Sequence, residues 1–359
     1  MAETSAPAKT EIDASRYRCI SACGGDEDTE DTEREFCYNV QMPGGKSRVY
    51  ISYKRNDINI DSLENSLLEE DFWDTWERLP TVLAKQLPPL PEDRLDIYGF
   101  QLVNSSFIPC EPPRCNIKGP HNYPSFQEHD LEHIQDLGHG MCNVSLVSAG
   151  ANQEHMAFKT THWEPEIGIL SDELSNYDLL RDFPSIPRIL GLVFIGDCPT
   201  GFLMEPFTKG DLTKHYDASV REKTKWAWQL LLIVCQFEER EFDHKDLKCG
   251  NIVLDDDGNI KVIDPANCGW TDGFSTPQLD GCQVFSMGRT VLELFTKNVP
   301  KVREVPMLVQ EEIKEQFEGL IGEMIWMCCK SITPKDIPSA REVKEYLLPF
   351  AAKENLLDQ

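Results

Sequence analysis

Apolar and polar residues alternate over Phe36–Met42 and again over Arg48–Lys54. Pro43-Gly44-Gly45 between them is turn chemistry, so the pattern predicts a β-hairpin. The period then changes. Leu63, Leu67, Leu68, Phe72, Trp76 and Leu79 recur at helical spacing, and Asp61 with Glu64 forms a capping box. The predicted helix reaches Gln86, where the run Leu87-Pro88-Pro89-Leu90-Pro91 stops it. A strand near Leu95–Val103 and a Pro- and Cys-rich loop through Pro124 follow. From Phe126 onward, β-segments at 132–137, 144–149, 155–160, 189–195 and 201–205 are interrupted by one helical stretch at 166–182. Beyond residue 210 the pattern is mostly helical, with a hairpin at 252–263. A β-rich lobe with one helix followed by a helical lobe is the plan of a two-lobed α+β domain, here preceded by an N-terminal α/β extension.

Composition refines this plan. Residues 1–35 are rich in Ala, Ser and Thr and then acidic from Asp26 to Glu35, which predicts a disordered N-terminus. The formal net charge of −26 argues against a nucleic-acid partner, because no basic face is left to cover phosphates. It is compatible with a basic peptide partner, although an acidic balance is more often a solubility trait. Met1–Thr10 has no apolar signal core, and no window approaches the roughly 18 apolar residues of a membrane span. The best window, Trp226–Phe237, is short and carries Gln229 and Gln236. A cytoplasmic protein is expected, with a nuclear location also open and no membrane partner. Cys19/Cys23 and Cys110/Cys115 are spaced like loose zinc knuckles, but neither pair is followed by a second pair at ligand spacing. The 13 cysteines are expected to be reduced, mostly buried thiols.

The chemistry concentrates in His244-Lys245-Asp246-Leu247-Lys248-Cys249-Gly250-Asn251-Ile252-Val253-Leu254 and in Ile260-Lys261-Val262-Ile263-Asp264. Ile252–Leu254 and Ile260–Ile263 read as two short strands joined by Asp255-Asp256-Asp257-Gly258-Asn259, a turn sequence. The hairpin brings Asn251 and Asp264 side by side at its open end. An amide oxygen beside a carboxylate suits Mg²⁺, with phosphate oxygens filling the other positions. Asp246 can face the metal-bound phosphate as a base, and Lys248 can neutralise charge on a transferred group.

At this point the chain resembles the protein kinases. Residues 244–254 are similar to the family's H-R-D-L-K-x-x-N catalytic loop, and Asp264 is similar to the Asp of D-F-G. The resemblance implies an ATP site. His155-Met156-Ala157-Phe158-Lys159 resembles V-A-I-K, so Lys159 is expected to hold the α- and β-phosphates and Ala157 to line the site. Leu137-Gly138-His139-Gly140-Met141-Cys142-Asn143-Val144 resembles the glycine-rich loop imperfectly. Its third glycine is Asn143 and Val144 arrives one residue early, so fewer N–H groups face the phosphates than Gly138 and Gly140 alone would suggest. Glu166 and Glu173 lie on one helix face as candidate partners of Lys159, and chain length favours Glu173. Gly201–Phe207 resembles the kinase hinge, with Met204 as gatekeeper and the backbone of Glu205 and Phe207 meeting the adenine. Pro206, which lacks an N–H, falls where none is needed.

The chain also departs from the family. Pro265-Ala266 follows Asp264 instead of Phe-Gly. Lys245 replaces the arginine that would grip a phosphorylated activation loop. Thr276-Pro277-Gln278 is the nearest match to A-P-E, Gln283–Gly288 matches D-V-W-S-L-G with Gln for Asp, and Ile337-Pro338-Ser339-Ala340 resembles R-P-S-A. Gln278 and Ile337 together replace a buried ion pair, and losing both partners strands no charge. Cys268–Phe274 resembles a group of divergent kinase-like proteins of filamentous fungi.

The expectation is a two-lobed protein-kinase-like fold. Its parts are a disordered stretch 1–35, an extension 36–125 of unknown role that reads as a packing module or as a docking module for a partner, an N-lobe 126–205, a C-lobe 206–350 and a tail 351–359. The implied activity is ATP- and Mg²⁺-dependent phosphotransfer to serine or threonine hydroxyls of a protein. Asp246 and Lys248 are the catalytic residues and Asn251 and Asp264 the metal ligands. The alternatives are a pseudokinase scaffold or a kinase of small-molecule phosphoacceptors.

Overall fold

The computed structural model of the protein describes residues 18–23, 35–41, 48–54, 62–63, 82, 86–87, 97–110, 117–118, 122–139, 142–149, 154–161, 164–265, 283–298, 305, 316–331 and 333–357. It is an α+β structure whose elements are compatible with a kinase-like fold. The chain divides into two compact units. The first comprises residues 1–117, 124–168 and 191–202; the second comprises 118–123, 169–190 and 203–359.

The first unit contains a five-stranded sheet in sequence order: β1 (Arg18–Cys23), β2 (Glu35–Gln41), β3 (Arg48–Lys54), β4 (Ile97–Val103) and β5 (Ser106–Cys110). The β2–β3 hairpin is present in unbroken register from Glu35↔Lys54 to Gln41↔Arg48. β3 is the buried centre, with Val49, Ile51 and Tyr53 fully enclosed. β3 and β4 run parallel, which demands a crossover between them. The predicted helix 61–86 falls in that crossover. Leu63, Val82 and Gln86 are helical, and the rest lies outside the described residues.

Two expectations need correction here. The stretch 18–23 pairs with β2 as a strand, although composition placed it in a disordered N-terminus. A six-residue strand carrying a register shift between Cys19 and Ser21 is too short to stand out against the acidic run beside it. The Pro- and Cys-rich loop begins later than expected, because β5 occupies 106–110. Asn104 (φ 49°) and Ser105 (φ 61°) form the tight turn before it, and two positive φ values are what a twisted two-residue hairpin needs.

A second sheet has the order β6-β10-β11-β9-β8-β7, with β6 (Ser125–Gln127), β7 (Leu131–His139), β8 (Asn143–Ala149), β9 (Glu154–Thr160), β10 (Ile189–Ile195) and β11 (Cys198–Met204). Gly201 on β11 has no room for a side chain. A Cβ there would lie 2.5 Å from the Lys159 carbonyl and 2.6 Å from the Phe158 ring.

The second unit is mainly helical. It takes in α1 (Glu164–Leu179) from residue 169 onward. α2 (Val220–Glu239) starts with a reciprocal Ser219–Glu222 capping box and buries Trp226, Leu230, Leu231, Val234 and Phe237. It grips the hairpin of β12 (Ile252–Leu254) and β13 (Ile260–Val262). Trp226 Nε1 donates to the Gly258 carbonyl at 3.1 Å. Gln229 donates to Asn259 Oδ1 at 2.9 Å and accepts the Ile260 N–H at 3.2 Å. α3 (Gln283–Thr296), α4 (Gly319–Cys329) and α5 (Ala340–Lys353) complete the core. Among the described residues no helix is long and apolar enough to cross a membrane.

Candidate active site

The loop 242–251 carries the sequence-predicted catalytic residues and is held from below by α3. Gln283 Nε2 donates to the Phe242 carbonyl at 3.0 Å. Thr290 Oγ1 donates to the Leu247 carbonyl at 3.1 Å, and the Cys249 thiol donates to the Thr290 carbonyl at 3.6 Å. Burial pushes the Cys249 thiol far above its ordinary pKa, so it is an inert anchor. His244 is fully buried and stacks on Phe237. Its Nε2 donates to the Ile263 carbonyl at 2.9 Å, and burial lowers its pKa, so the ring is neutral. That bond ties the loop to the strand leading to Asp264.

Within the loop, Asp246, Lys248 and Asn251 meet directly. Lys248 Nζ lies 2.7 Å from Asp246 Oδ2. Asn251 Nδ2 donates to the same oxygen at 2.8 Å and to the Asp246 carbonyl at 2.8 Å. Asp246 Oδ1 accepts nothing among the described residues. The double donation consumes the amide nitrogen of Asn251 and fixes its Oδ1 as the outward group. A fixed oxygen of a buried amide is a hard donor, and it fits a divalent cation.

Hairpin register refines the pairing read from sequence. Ile252 faces Val262, and the Ile263 N–H donates to the Asn251 carbonyl at 3.0 Å. Asn251 is therefore opposite Ile263, with Asp264 one residue beyond it. Asp264 has a φ of +58°, rare for a residue with a Cβ. Lys245 is exposed at φ +61°.

The remaining predicted residues are placed as follows. In the first unit, Gly138 pairs with Val144 and His139 with Asn143. Gly140 lies outside the described residues. Val144 faces Lys159, and Leu146 faces Ala157. Lys159 is 4% exposed, unusually buried for a lysine. In the second unit, Glu173 on α1 is 1% exposed; the Glu166 side chain lies outside the described residues. Met204 is buried at the end of β11. The Glu205 N–H donates to the Arg188 carbonyl at 3.1 Å, and the Glu205 carboxylate pairs with the Arg188 guanidinium. The Phe207 carbonyl accepts the Gly210 N–H at 3.2 Å. The segment 266–282, with Thr271, Ser275, Thr276 and Gln278, lies outside the described residues. Among the described residues no group of three or more His, Cys, Asp or Glu side chains could hold a metal ion.

The chain shares 38% identity over 86 residues with the hormonally up-regulated neu tumor-associated kinase homolog B of Xenopus laevis, covering 22% of this chain and 13% of that protein. Homolog A of the same organism matches at the same identity over 86 residues, 12% of its length. The testis-specific serine/threonine-protein kinase 5 of Mus musculus is 33% identical over 78 residues, 19% of this chain and 21% of that kinase. These matches support a kinase-like domain. The match thus spans about an eighth to a fifth of each relative's length. No known family profile matches the chain.

Sequence reasoning missed the polar residues that fasten this site. Gln229 reads in the sequence as an interruption of an apolar window, and Thr290 carries no motif. Asn176 and Tyr177 on α1, which contact Asp264 and Pro265, had no motif to announce them. A polar side chain recurring inside an otherwise buried helix face is the signal that could have found all of these.

Proposed function

We propose that the protein is an ATP-dependent phosphotransferase of protein-kinase type, acting on serine or threonine hydroxyls of a protein. The observation that carries this reading is the knot in which Asp246 Oδ2 receives both Lys248 and Asn251, leaving Oδ1 open. Asp246 accepts the proton of the attacking hydroxyl through that open oxygen. Lys248, beside it, balances the negative charge that develops on the transferred phosphoryl group. Asn251 and Asp264 are assigned to Mg²⁺, which when bound neutralises charge on the nucleotide phosphates. Lys159, with Glu173 assigned to support it, holds the α- and β-phosphates, and Glu205 and Phe207 present backbone groups to the adenine. In the balanced step the γ-phosphorus leaves the ADP oxygen for the hydroxyl oxygen, whose proton passes to Asp246.

The test is transfer of labelled γ-phosphate from ATP to the protein itself, to generic protein substrates and to a metabolite extract. Label on protein, lost in Asp246→Asn, supports the reading. Label on small molecules alone replaces the protein substrate with a metabolite. A second reading, a nucleotide-binding scaffold without transfer, draws on the pairing of Gly138 with Val144 and of His139 with Asn143. Asn143, at the position of the third glycine, is thereby part of the sheet instead of a glycine-rich loop that could offer its N–H to phosphates. Nucleotide binding with no transfer to any acceptor would favour it.

A further inference from the structure

Asp264 occupies the left-handed region, and the proline that follows narrows the conformations open to it still further. Something must hold this backbone in place, and two consecutive residues of α1 touch it. The Tyr177 hydroxyl accepts the Asp264 N–H at 3.1 Å. Asn176 Nδ2 donates to the Pro265 carbonyl at 2.5 Å. Pro265 has no N–H of its own, so these bonds bracket the segment from the donor before the proline to the proline's own carbonyl. Tyr177 is 1% exposed, and a buried phenol is fixed in position by its packing. Glu173 stands one helical turn earlier on the same helix, at the spacing that shares a face with Asn176 and Tyr177.

We infer that Asn176 and Tyr177 are positioning residues. They clamp the backbone of Asp264–Pro265 so that the Asp264 carboxylate is held ready for a divalent cation. The positioning role rests on the nucleotide reading above; the clamp itself does not. In this chain a proline stands where the resemblance would place an apolar ring, and the helix supplies polar fastenings in its place.

The experiment pairs two measurements on the full chain. Amide hydrogen exchange at Asp264 reads the clamp without any ligand. Binding of Mn²⁺ in the presence of ADP, followed by electron paramagnetic resonance, reads the cation site. Tyr177→Phe keeps the ring and removes the acceptor. It should speed exchange at Asp264 at least tenfold and weaken Mn²⁺ binding about tenfold, while thermal midpoint and metal-free ADP affinity stay at wild-type values. Asn176→Ala, which removes the second bond from a less buried position, should weaken Mn²⁺ binding in the same direction and carries the test should Tyr177→Phe fail to fold. Unchanged exchange at Asp264 in Tyr177→Phe overturns the clamp. Faster exchange with undiminished Mn²⁺ binding overturns the positioning role, as does an equal loss of metal-free ADP affinity. Wild-type protein that binds no Mn²⁺ with ADP overturns the nucleotide reading, and exchange alone then decides the clamp.

Discussion

Asn251 spends both donated hydrogen bonds on Asp246, one on its carboxylate and one on its carbonyl, each at 2.8 Å. The candidate base and the candidate metal ligand are therefore locked to each other, and only a near-isosteric change at Asp246 tests the base while keeping an oxygen for Asn251 to donate to. Asp246→Asn should lower phosphate transfer by at least about a hundredfold, as expected for loss of a general base. Nucleotide affinity should stay near the wild-type value. Steady-state kinetics together with calorimetric ATP titration checks both halves.

Asp264→Ala should abolish the dependence of ATP binding on a divalent cation. The motive is the pairing of a fixed Asn251 oxygen with a carboxylate one residue past the hairpin register. Calorimetric titration with ATP and Mg²⁺, and with ATP alone, should show strong metal enhancement in the wild type and none in the variant. Equal affinities under all conditions would remove the assignment.

His244 makes folding stability depend on pH. Burial depresses its pKa below the ordinary 6.5. Below that pH the unfolded chain takes up a proton that the folded chain refuses. Stability from this residue is therefore present above about pH 6.5 and is lost as pH falls through the interval down to the folded-state value. The slope is at most about 1.4 kcal/mol per pH unit for one proton. Urea titrations between pH 5 and 8 should show His244→Phe losing stability less steeply with falling pH than the wild type.

Gly288 on α3 is wedged against α4. A Cβ there would lie 2.4 Å from Cys328 Cβ and 2.6 Å from Cys329 Sγ. Gly288→Val should destabilise the second unit by roughly 1–3 kcal/mol through overpacking, seen as a lower urea midpoint. The loop 242–251 should loosen with it, because Thr290 is carried on the same helix.

Much of this architecture was legible in the sequence. The β-segments and helix from residue 126 onward fall within a few residues of their predicted positions; Ile189–Ile195, a continuous apolar run of strand length, falls at its predicted bounds. The candidate catalytic loop and its hairpin were legible because their spacing fixes their geometry. What escaped is of another kind. β1 has no strong alternation and is a strand by virtue of its partner β2. The fastening roles of Gln229, Thr290, Asn176 and Tyr177 depend on residues from about 30 to nearly 90 positions away, and such contacts leave no trace in a local pattern.

The parallel pairing of β3 with β4 has a practical consequence for anyone dividing this chain. Its first sheet is assembled from pieces on both sides of residues 55–96. Trimming the N-terminus at residue 35, as composition alone would recommend, strips β1 and turns β2 into a naked border strand. Cutting between 55 and 96 uncovers β3 itself, whose Val49, Ile51 and Tyr53 are the most enclosed side chains of that sheet. Either fragment would present unpaired backbone to its neighbours in solution. Such truncations should therefore yield self-associating material, and the safe unit of expression keeps residues 18–110 together.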